Sequence, residues 1–141
     1  MAQLSIGVRV IEEKGEGENG EEVIQSKVIA LANPLGANPG DTVVWSWEDE
    51  ATNDMGKDLQ VMFREVEPAD GSGTELCGPS GPFSEMSRSA AQIGGTISSS
   101  ARKGSYHYDI FKDSTKLEWL NPLRPGQNFG GLDVPPLPPR G

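Results

Sequence analysis

Gly104-Ser-Tyr-His-Tyr-Asp-Ile110 is the stretch on which the reading of the fold turns. Tyr106, Tyr108 and Ile110 recur at every second residue, with Ser105, His107 and Asp109 between them. Neighbouring side chains of a strand point to opposite faces, so this spacing predicts a β-strand with one aromatic face turned to a core. The same period runs through Leu4, Ile6, Val8 and Val10, through Val43, Trp45 and Trp47, and through Leu59, Val61 and Phe63. Residues 22–31, rich in Val and Ile, and the weaker segments 96–100 and 117–120 complete the set. Asn19-Gly20, residues 32–40 and Asp113-Ser114-Thr115 carry the turn residues between them. The only helix predicted is a short one over residues 84–92, capped by Ser84. The expectation is an all-β, antiparallel Greek-key β-sandwich of about seven to eight strands.

The 141 residues suit one domain, and its 18 glycines and 11 prolines exceed ordinary usage. Much of that excess falls in two places. Residues 65–95 read as one long loop, and residues 121–141, with their many prolines, as an extended arm, so the expected division is a sandwich over 1–120 and an arm over 121–141. No apolar run approaches the roughly 18 residues of a spanning helix, which argues against a membrane role. Cys77 is alone, which excludes a disulfide scaffold, and His107 is the single histidine, which excludes any site needing two. The net charge of −9 is concentrated in the first half, above all in Glu12, Glu13, Glu16, Glu18, Glu21 and Glu22, which face only Lys14. Such a chain is repelled by phosphate backbones, so no nucleic-acid role is expected. The acidic run itself reads as a solvated loop, with calcium binding or contact with a basic partner as the other readings. The first residues lack a basic segment followed by an apolar one, which points to a cytoplasmic location.

Three pieces in order carry a family resemblance: Pro39-Gly-Asp-Thr-Val-Val-Trp45, the Leu59-x-Val61-x-Phe63 strand and Gly104-Ser-Tyr-His-Tyr-Asp-Ile110. Together they resemble the cupredoxin family, over about residues 22–120. The resemblance implies a cupredoxin-like sandwich and, in the family, a copper site of two imidazoles and a thiolate. Leu59 stands where the family has its first histidine (Asp58 if the register slips by one), and Ile110 where it has cysteine. No His, Met or Cys follows Ile110. The resemblance therefore implies a metal-free member with no cofactor, and electron transfer is not carried over.

No nucleophile motif accompanies His107 or Cys77, so no catalytic residue is assigned and a non-enzymatic role is expected. Trp45 and Trp47 read as core. Trp119, Phe129 and Leu132 either fold back over the sandwich or form a contact surface. The end of the arm, with Val134, Pro135, Leu137, Pro138 and Arg140, fits a polyproline helix and matches the pattern read by Src-homology-3-type grooves. Candidate partner contacts are thus Trp119, Phe129, Val134, Pro135, Leu137, Pro138 and Arg140. The leading expectation is a protein-interaction or structural module that binds a protein partner or forms a homo-oligomer through this arm. The alternative is a small-molecule or calcium-binding protein with its site in the 65–95 loop near His107.

Overall fold

The computed structural model describes residues 2–32, 34–89, 91–120 and 128–134. In chain order the elements are β1 (Gln3–Glu16), β2 (Glu22–Ala30), β3 (Leu35–Gly36), β4 (Thr42–Trp47), the helix α1 (Glu50–Asp54), a 3₁₀ turn at Gly56–Asp58, β5 (Leu59–Pro68), β6 (Glu75–Leu76), β7 (Phe83–Arg88), β8 (Gln92–Ile97), β9 (Gly104–Lys112), β10 (Thr115–Lys116), β11 (Glu118–Trp119) and β12 (Gly130–Val134). They build two sheets, ordered β11-β2-β1-β4-β8-β7 and β3-β12-β9-β5-β6, with β10 paired to β9. The chain is all-β, as the alternation predicts.

The apolar faces meet in one core. Ile6, Val8, Val43 and Trp45 from the first sheet face Leu59, Tyr108, Ile110 and Leu132 from the second, each essentially without exposure. Trp45 is its hub. Its ring lies edge-on to Phe63, Phe83 and Tyr108, with centroids 6.0, 5.7 and 5.3 Å away, the arrangement that aromatic quadrupoles favour.

The structure departs from the sequence expectation in strand direction, because the period of two sets which face a residue takes and not which way its strand runs. Both sheets are mixed. β1 runs parallel to β4, β11 to β2 and β12 to β3, while the other pairs are antiparallel. The predicted helix over 84–92 is instead β7 and the start of β8, paired antiparallel. Its polar composition suits an edge strand, whose residues need not alternate cleanly. The 65–95 stretch is thus mostly strand, taking in the end of β5, β6, β7 and the start of β8.

Two further segments shift. The acidic run is not one loop: β1 continues to Glu16 and pairs with β2 out to Glu22, leaving a turn at 17–21 closed by Gly20 at φ 75°. Residues 130–134 do not lie outside the sandwich, since β12 sits between β3 and β9 with Leu132 and Val134 fully buried. Gly130 is required there because a Cβ would strike the Tyr108 ring. The remaining arm residues, 121–127 and 135–141, lie outside the described residues.

Candidate functional site

The positions that the family resemblance would assign to copper lie on neighbouring paired strands. Leu59 faces Lys112 across the β5–β9 ladder and Ile110 faces Val61. Leu59 and Ile110 are both fully buried in the shared core, so these two places pack the sandwich. Among the described residues, no group of three His, Cys, Asp or Glu side chains is placed to hold a metal ion. In the acidic loop after β4, Asp49 caps α1: its carboxylate accepts from the Thr52 N–H at 2.8 Å. Hydrogen bonding by the Thr52 side chain, and then by this N–H, holds the Asp49 carboxyl below the ordinary aspartate range.

His107 points to the outer face of the second sheet and is nevertheless 8% exposed. Its Nδ1 lies 2.8 Å from Oε2 of Glu65, and because a carboxylate only accepts, the imidazole donates there. The Phe129 ring stacks on it at 4.0 Å between centroids, and the Arg64 guanidinium stands 5.0 Å over that same phenyl ring. Arg64 also approaches Asp109 at 3.7 Å, and Lys116 does so at 3.5 Å. The result is a layer of paired charges and stacked rings laid over the sheet. Cys77 sits at the edge of this region, its N–H donating to the Arg64 carbonyl. Burial, and then the Glu65 charge, push its thiol above the ordinary cysteine value, which opposes the thiolate a nucleophile needs.

The expected contact residues therefore divide. Trp119 and Val134 belong to the core, at 7% and 0% exposure, because β11 and β12 are strands of the sandwich. Phe129 is half-buried against His107. Pro135, Leu137, Pro138 and Arg140 lie outside the described residues.

Sequence reasoning missed a cleft of about 270 Å³ at one long side of the sandwich, lined by Gln60–Met62 of β5, Pro79, Ser80, Met86–Arg88 of β7 and Ile93 of β8. The 65–95 segment does contribute to it, but His107 and Cys77 do not. Among the described residues, no strand pairs with either flanking edge there. Phe63 donates outward to the Pro79 carbonyl at 3.0 Å, and the Leu59 carbonyl accepts from the Arg88 guanidinium. Residues alternate along an antiparallel ladder, so Val61, midway between these two, also turns its N–H and C=O away from β9. On β7 the Ser89 N–H bonds back to Gln92 at 2.8 Å, which makes Ser87 an inward residue and Met86 and Arg88 outward ones. Arg88 closes the bottom of the cleft, its guanidinium also reaching the carbonyls of Lys57 at 3.0 Å and Gly56 at 3.5 Å. The only sequence signal was composition: Met62, Met86 and Pro79 are apolar residues without an evident partner in a polar stretch.

Compared with known proteins, the chain matches no protein-family model, and no curated protein matches it.

Proposed function

We propose that this protein is a non-enzymatic interaction module on a copper-free, cupredoxin-like sandwich, binding protein partners and associating with itself through its C-terminal arm. The observation that carries the reading is the open side, where, among the described residues, two unpaired strand edges flank an apolar cleft while polar groups of the outer face are paired with one another. In support of the family reading, its three signature pieces fall on β4, β5 and β9, and β5 and β9 are neighbours. Small-molecule binding is the second reading, favoured by the same cleft. Its volume lies just below the roughly 300–1,000 Å³ of drug-sized ligand sites.

Self-association is tested by the solution mass of the full chain against a chain ending at 134, which keeps β12. An oligomer that becomes a monomer on shortening supports the arm's role. Two monomers of equal shape overturn it.

A further inference from the structure

The open side carries a more specific consequence, which rests on the interaction-module reading. We infer that β7 takes up an extended peptide of a partner protein by strand addition, with one neutral apolar side chain of that peptide lodged between the sheets in the cleft beside it.

Main-chain groups set the ligand class. Met86 and Arg88 turn two N–H donors and two carbonyls outward, alternating at strand spacing, and an extended backbone is the ligand that answers such a row. The cleft sets the side chain. A residue paired opposite Met86 lies on the same face as Met86, so its side chain enters among Val61, Met62, Met86, Pro79 and Ile93. Two methionines in such walls accommodate side chains of differing shape. Charge sets its polarity. The one charged lining residue, Arg88, has its guanidinium held by the carbonyls of Gly56, Lys57 and Leu59, and no acidic residue lines the cleft. A cationic side chain would lose its water there and meet only the like charge of Arg88, and the apolar walls favour an apolar side chain over a polar one.

A second copy of this chain fits less well. Pairing β7 with its own counterpart would leave both clefts unfilled, since each copy's Met86 already lines its own cleft. The Val61 edge in turn is too short to be the primary template, being bounded by the Arg88 and Pro79 bonds on either side of one residue.

The test is an NMR titration of the full isotope-labelled chain with the blocked peptide acetyl-Thr-Ser-Leu-Ser-Thr-amide and its Ile and Phe counterparts at the central position. Saturable shifts are expected at the Met86 and Arg88 amides and at the methyl groups of Val61, Met62, Met86 and Ile93. The peptide methylated on the central nitrogen, and the one with Lys at that position, should each bind at least tenfold more weakly. Met86→Pro, which removes an outward N–H that no ladder bond uses, should also weaken binding at least tenfold while leaving amide protection in β8 and β4 unchanged. Equal binding by the N-methylated peptide overturns strand addition, as does saturable binding elsewhere or none from any of the three apolar peptides up to millimolar concentration. Self-association that survives such a result would leave the broader module reading standing. Its loss with peptide binding intact would remove only the role of the arm.

Discussion

The two long sides of the sandwich are finished in opposite ways. On one, the chain crosses from the second sheet to the first: after β10, residues 117–120 pass over, Trp119 buries its ring edge-on to Tyr108 at 5.7 Å, and Leu120 donates to the Val28 carbonyl. The chain then comes back as β12 between β9 and β3. On the other side the connection through residues 77–82 crosses from β6 to β7 but covers only part of it. Residues 59–63 of β5, short of its pairing with β6, and β7, the last strand of its sheet, are linked there by the Arg88 guanidinium and the Pro79 carbonyl. Closure by a crossing chain makes one side part of the core, whereas closure by single polar contacts leaves backbone groups able to accept another strand.

The largest expected effect breaks the closed side. A chain ending at 129 loses β12, with the buried Leu132 and Val134 and the ladder to β9. Each large core side chain deleted costs about 2–5 kcal/mol, against a total stability of roughly 5–15 kcal/mol for a domain. That chain should show no cooperative thermal transition by circular dichroism, while one ending at 134 should unfold sharply. A cooperative transition in the shorter chain would mean that the closed side is not structural.

The faces of the strands were legible in the sequence, and the sides were not. Tyr106, Tyr108 and Ile110, or Val43, Trp45 and Trp47, announce their burial by spacing alone. Direction and sheet order depend on which strands meet after folding, so the parallel pairing of β1 with β4 left no local mark. β12 was hidden because only Leu132 and Val134 of Gly-Gly-Leu-Asp-Val reach the core, among prolines that read as coil. The cleft was hidden for a related reason. Its walls come from residues 60–62, 79–80, 86–88 and 93, brought together only because a part of β5 that β6 does not cover lies near β7, the last strand of the other sheet. His107 drew notice as the single histidine, yet its Glu65 partner is placed by a bulge between Phe63 and Glu65 that nothing in the alternation reveals.

A smaller effect sharpens the open side. Ser87 faces Gly94 and donates inward, so Ser87→Pro removes a ladder bond and orphans a carbonyl, a loss of about 1–3 kcal/mol. Met86→Pro removes an outward donor from an edge strand, where proline is tolerated, and should cost less than about 1 kcal/mol. Urea midpoints measure the contrast. Equal losses, or a larger loss at Met86, would show that the outward and inward residues of β7 are assigned the wrong way round.

The smallest effect should be indifferent to both sides. Asp41, just before β4, accepts from the Ala2 N–H and the Asn38 N–H at 2.9 Å each. The first of these, then the second, holds its carboxyl below the ordinary value of 3.8 in the folded chain. A carboxyl depressed by folding stabilises the folded state above its unfolded pKa, and that contribution disappears as pH falls from about 4 through the lower folded value. Asp41→Asn keeps one carbonyl oxygen but replaces the second acceptor with an NH₂ facing an N–H, so it should lower the urea midpoint at pH 6 slightly. It should also flatten the decline of that midpoint below pH 4. Met86→Pro should keep the wild-type slope, because no carboxylate lines its cleft. A wild-type slope in Asp41→Asn would mean that this carboxylate does not help anchor the start of β1.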